Sequence, residues 1–142
     1  MLAYYERSGK PPATSVELAE SIGTNPVVVR RVLAELGAAG LVESRRGRGG
    51  GSVLARDARR ITLRDAYEAV TSAGENLLGR HAGELGPSCQ VAPVIAEYLD
   101  ELFREAEEAL VRRLSEVTVD EMSRAIVDRL QSRPARRAAR RS

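Results

Sequence analysis

The chain has 142 residues, with 22 Lys+Arg against 20 Asp+Glu for a net charge of +2, and 43% hydrophobic residues. That length buries one modest core, or one domain with an added arm. No apolar run reaches the roughly 20 residues that cross a bilayer. No secretory signal is visible, and a single cysteine excludes an intramolecular disulfide framework and fits a reducing cytoplasm.

The small net charge conceals a basic–acidic–basic layout. Residues 1–60 hold 10 Lys+Arg and 6 Asp+Glu, residues 61–132 hold 7 and 14, and residues 133–142 hold 5 arginines and no acid. Local sign decides which surface can meet a polyanion. Lys10 is the only lysine, which reflects compositional bias more than chemistry. With no Trp and one Phe, stacking platforms for single-stranded nucleic acid are not evident.

The first clear helix begins at Thr14, which forms a capping box with Glu17. Val16, Leu18, Ala19 and Ile22 supply its apolar face, and Gly23 stops it. A second helix opens with Asn25 as N-cap and Pro26 at its first position, where a missing N–H costs nothing. Val29, Val32, Leu33 and Leu36 recur at helical spacing and are expected in the core. Gly40 ends that helix. Two short strands then flank the loop Arg45-Arg46-Gly47-Arg48-Gly49-Gly50-Gly51, the first from Leu41 to Ser44 and the second from Ser52 to Ala55. The glycines permit positive φ and close backbone approach.

Helix, tight turn, helix and basic hairpin, in that order, are the layout of a winged helix-turn-helix. Its second helix enters a DNA major groove, and Thr24, Asn25, Val28 and Arg31 are the expected groove-facing residues. Arg45, Arg46 and Arg48 are expected on phosphates or in a narrow minor groove, because arginine offers a fork of donors suited to both. A glycine-rich loop alone could suggest a nucleotide phosphate site, but no Lys-Ser or Lys-Thr follows and the next segment is strand-like. Winged helices also serve as protein-interaction modules without DNA contact. Three arginines among the wing glycines favour the DNA reading.

Residues 56–60 form a charged connector. Thr62 and Asp65 cap a helix over 62–73, with Leu63, Ala66, Tyr67 and Val70 on its apolar face. Residues 74–92 are irregular and contain His81 and Cys89; a loop of that length is often functional or mobile. From about Pro93 a long helix carries the stripe Ile95, Leu99, Leu102, Ala106, Leu110, Leu114 and Val117. It has more apolar surface than a 60-residue domain covers, so Ile95, Leu99, Leu102, Leu110 and Leu114 are expected to pack against a second copy of the chain. The competing arrangement folds this helix back onto its own winged domain. Thr118 and Glu121 cap a final short helix.

These elements define a mainly α fold with a small β-hairpin wing and a long C-terminal dimerisation helix. The expected division is a DNA-binding domain over 1–60, a helical dimerisation and sensor region over 61–132, and a basic disordered tail over 133–142. The tail arginines read better as a solvated run than as a DNA contact.

The order LAESIG, TNPVVVRRVLAELGAAGLVESRRGRGGG, SVLAR and ITLRDAYEAV, then a cysteine-containing loop and a long helix ending SEVTVDEM, resembles the Rrf-type bacterial repressors. That is the family of the IscR, NsrR and CymR regulators, and the resemblance runs to about residue 130. It implies a homodimeric, cytoplasmic winged-helix repressor on a palindromic operator, whose long helix crosses to the partner. Cluster-binding members carry three closely spaced cysteines before the long helix. Here only Cys89 stands there, and an iron–sulfur cluster needs about four protein ligands. The resemblance therefore points to the cluster-free branch, without cofactor or metal. Family members also begin with a fuller first helix, of which Met1–Tyr5 matches the latter part.

Cys89 has two readings. A thiol before a helix N-terminus can be a redox sensor; a lone cysteine is more often packing, and that reading is preferred. His81 reads as a loop residue, and a small effector at this loop stays open. No nucleophile elbow or metal-ligand pair appears, so an enzyme is not expected.

Overall fold

The computed structural model describes residues 1–71 and 91–132. His81, Cys89, most of the loop expected at 74–92 and the tail 133–142 lie outside the described residues. In chain order the elements are α1 (Leu2–Arg7), α2 (Ser15–Ile22), α3 (Pro26–Ala38), β1 (Val42–Arg45), β2 (Gly51–Leu54), a 3-10 turn (Ala58–Arg60), α4 (Leu63–Val70), α5 (Val91–Ser115) and α6 (Val119–Ser132).

The helix starts follow the sequence closely. Thr14, Thr62 and Thr118 each accept the backbone N–H of the residue three positions on, while Glu17, Asp65 and Glu121 reach back to the threonine's own N–H at 2.7–2.8 Å. Three of the α-helices are thus opened by reciprocal capping boxes, which satisfy donors that would otherwise be orphaned. Gly23 then turns the chain between α2 and α3 with φ 70°, a left-handed value that side chains disfavour.

The wing is an antiparallel hairpin with Val42 opposite Leu54 and Arg45 opposite Gly51. Both strands sit one residue off the positions expected from sequence, so Arg45 belongs to β1 rather than to the loop. A third chain segment joins this sheet: Ala13 and Ser52 exchange backbone hydrogen bonds of 3.2 and 2.8 Å. That approach is why residue 51 is glycine. A Cβ there would lie 2.7 Å from the carbonyl oxygen of Pro12.

Two apolar clusters form the core. One joins Ala13, Leu18, Ala19 and Val29; the other joins Leu41, Val42 and Ile61, with Val119 and Ala69 against it. Leu2 and Leu33 touch both, so helix, wing and C-terminal segments share one interior. Val29 is buried as expected, with Val32, Leu33 and Leu36 half-buried. Val16 and Ile22 differ from expectation and are exposed. Val16 lies off the Leu18/Ala19 stripe, and Ile22 occupies the last turn of α2, just before the chain turns at Gly23.

The long helix α5 already runs at Val91 and packs against α4, where the Tyr67 hydroxyl donates to Glu107 Oε1 at 3.1 Å. It is α6, not α5, that returns to the winged part. Val119 N–H donates to the Ile61 carbonyl and Leu63 N–H to the Val117 carbonyl, at 2.8 and 2.9 Å. Farther along, the buried Asp120 carboxylate accepts from Arg7 of α1 and from Arg124.

The capping carboxylates make stability depend on acid. Glu17, Asp65 and Glu121 are each held below the ordinary carboxylate range, first by the backbone N–H of the paired threonine. A carboxyl depressed in the folded state stabilises above its unfolded value, and that contribution is lost as pH falls through the depressed one. The thermal midpoint should therefore fall as pH drops from 5 to 3. In Glu17→Gln/Asp65→Asn/Glu121→Gln the slope should shrink. A residue of it should persist from Asp57, which the Arg59 side chain holds down to about 2. An undiminished slope in the triple variant counts against the assignment.

Candidate nucleic-acid interface

The surface of interest starts at the tip of α3. Asn25 Oδ1 accepts from Val27 N–H at 2.8 Å, which fixes the first turn as the cap and Pro26 imply. Thr24 and Asn25 are both exposed at this tip. Behind them, Val29, Leu33 and Leu36 turn inward, which leaves Val27, Arg30, Arg31 and Ala34 on the opposite, exposed face at spacings of three and four.

Two of the residues expected in the groove, Arg31 and Val28, sit differently on that face. Arg31 is exposed and stands 3.8 Å from Glu35, a surface pair of little strength. Val28 lies toward its edge, 44% exposed against 64% for Val27. Sequence reasoning passed over Val27, Arg30 and Ala34. The signal was present, since the spacing that sends Val29 and Leu33 inward sends these three outward.

Arg30 faces the start of α2, with its Nε donating to Ser15 Oγ at 3.3 Å. From there a shallow groove of about 420 Å³ runs between α3 and the wing, lined among others by Arg30, Ala34, Ser44 and Arg45. The wing closes one side. Arg45 donates to Glu43 Oε1 through two nitrogens at 3.3 Å. Arg46 and Arg48 are exposed at the loop and have no hydrogen-bond or ion-pair partner among the described residues. All seven candidates from Thr24 to Arg48 are thus solvent-facing; Asn25 is committed to its cap, while Arg31 and Arg45 are only weakly paired.

The stripe expected to pair two chains is divided. Ile95, Leu99 and Leu102 are exposed, whereas Leu110 and Leu114 are half-buried, nearer the end of α5 that meets the rest of the chain. Val91, Val94 and Tyr98 extend the exposed apolar part.

A protein-family model described as "Iron-dependent Transcriptional regulator", the Rrf2 model, matches residues 1–125. The chain belongs to the Rrf2 family. Its membership makes it one of a family of DNA-binding transcriptional regulators and not of enzymes. Among its relatives, the Bacillus subtilis protein named "Putative HTH-type transcriptional regulator YwnA" is 39% identical over 103 residues, covering 72% of this chain and 75% of that protein. The fold is that of solved Rrf2-type structures. IscR of T. potens superposes with a TM-score of 0.62 at 21% identity, covering 94% of this chain and 86% of that one. CymR of B. subtilis, the global cysteine regulator, gives 0.59 at 22% identity, covering 87% and 85%.

The iron in the Rrf2 description does not fit this chain's donors as a cluster. One cysteine and one histidine, Cys89 and His81, fall short of the about four ligands an iron–sulfur cluster takes. Among the described residues no group of three or more His, Cys, Asp or Glu could hold a metal ion. Nor is any described helix long and apolar enough to cross a membrane.

Proposed function

We propose that this chain is a homodimeric transcriptional regulator of the cytoplasm, a repressor that binds a palindromic operator in double-stranded DNA. The observation that carries this reading is the shared groove: the exposed face of α3 and the arginine-bearing wing border one surface. Thr24, Asn25, Val28 and Arg31 would face base edges, and Arg45, Arg46 and Arg48 the adjacent backbone or minor groove. Residues 1–60 would read DNA, and 61–132 would join the subunits and receive the signal. A homodimer accounts for the uncovered Ile95, Leu99 and Leu102, with Leu110 and Leu114 finishing the seam. Two-fold symmetry matches two half-sites about one helical turn apart. A redox role for Cys89 and a small effector are extensions of this reading that rest on sequence alone.

The test is binding to fluorescent duplexes over a salt series. Phosphate contacts release counterions, so affinity should fall linearly with salt on logarithmic axes, by about 0.9 in slope per contact. A palindromic duplex selected from a random library should bind on the order of a thousandfold tighter than random sequence. Absence of any salt-dependent binding would overturn the proposal and favour a protein-interaction module.

A further inference from the structure

We infer that Val27 reads the C5-methyl group of a thymine, so that each half-site of the operator carries a thymine under the tip of α3. The inference rests on the DNA-binding reading above and assigns one contact within it.

Val27 is 64% exposed, the largest value for a valine in the helix-turn-helix, while Val29 two positions on is 7% exposed in the core. Val27 therefore contributes little to holding the fold. It is also rigidly placed. Its N–H is tied to Asn25 Oδ1 at 2.8 Å, Pro26 fixes φ just before it, and a β-branched side chain has one strongly preferred rotamer in a helix. Little freedom remains to be lost on contact. The Cα–Cβ bond of a helical residue tilts toward the N-terminus, which here is the tip that would enter the groove.

The surroundings define what such a methyl pair can meet. Arg30 and Arg31 follow on the same face. Among the described residues, Arg30 has only the Ser15 hydroxyl as partner, and Arg31 only the 3.8 Å approach of Glu35. An apolar knob beside two loosely held guanidinium groups suits a surface that is anionic yet carries isolated methyl groups. In the major groove, thymine alone presents a methyl, and apolar side chains are its usual partners. Ala34, one further turn along the same face, adds a second small apolar contact at most.

The experiment takes the duplex that the wild-type chain selects from a random library and replaces each thymine in turn with deoxyuridine, which removes only the C5-methyl. At one position per half-site, wild-type affinity should fall about fourfold, the worth of one buried methyl. Val27→Ala removes the contact in both half-sites of the dimer, so it should bind the unmodified duplex about sixteenfold more weakly and lose its sensitivity at that position alone. Val27→Thr keeps the branched shape and should retain part of it. Thermal unfolding confirms that both variants fold, as exposure of the site implies. A wild-type chain indifferent to every deoxyuridine overturns the inference, as does a Val27→Ala profile identical to wild type; both leave the DNA reading standing. Selection of no duplex at all overturns the DNA reading and this contact with it.

Discussion

Leu102→Asp should turn the protein into a well-folded monomer and remove tight operator binding. In the single chain Leu102 is 46% exposed, so the substitution disturbs little there. Between two α5 helices the same carboxylate would sit in an apolar seam with Ile95 and Leu99. Burying it without a partner is strongly unfavourable. Each half-site alone binds weakly, and loss of the linkage between two of them should cost on the order of 10²–10⁴ in affinity. Sedimentation velocity at micromolar concentration reads the first effect and operator titration the second. A wild-type chain that sediments as a stable monomer sinks the dimer, and leaves the exposed face of α5 for some other cover.

Arg45→Ala/Arg46→Ala/Arg48→Ala should weaken selected and random DNA together. If all three arginines of each subunit meet phosphates, a dimer loses six contacts and the logarithmic salt slope should flatten by about five units, at about 0.9 per contact. Arg46 and Arg48 should carry the greater share, because Arg45 must first give up Glu43, although an exposed pair of that kind is easily released. All three side chains are exposed, so the melting temperature should hardly move. An unchanged slope with unchanged affinity would remove the wing from the interface. A loss confined to the selected sequence would instead make these arginines base readers.

What could be read from the sequence was what neighbouring residues decide. The capping boxes at Thr14, Thr62 and Thr118 depend on residues three apart, and all three stand where expected. The helix-turn-helix, the hairpin and the long helix follow from local period and turn chemistry, and the family resemblance pointed to the same order. Burial was legible only where a helix had neighbours on its whole length. Val16 and Ile22 carry the right chemistry for a core, yet they stand 47% and 58% exposed, and periodicity cannot report where a neighbouring helix stops. At the candidate interface, period separated inside from outside but could not rank the outside residues. Val28 was expected in the groove, whereas Val27 is the more exposed. The hydrogen bonds joining α6 to α1 and to Ile61 link residues far apart, and no local pattern announces them.

That last connection bears on the order in which the molecule assembles. Arg7 and Asp120 are 113 positions apart, and Ile61, the largest fully buried side chain among the described residues, meets Val119 across the same junction. Bringing such distant segments together carries a loop-closure cost of about 4 kcal/mol beyond a constant, so these contacts are late ones in a folding reaction. During synthesis the segment up to β2 leaves the ribosome long before residue 119 exists. In that interval Leu41 and Val42 lack their cover from the C-terminal side, and α1 has no anchor at Arg7. The part of the chain that bears the wing therefore reaches its finished form only after α6 has closed on it. Whatever loosens α6 in the mature protein would reopen the same seam first.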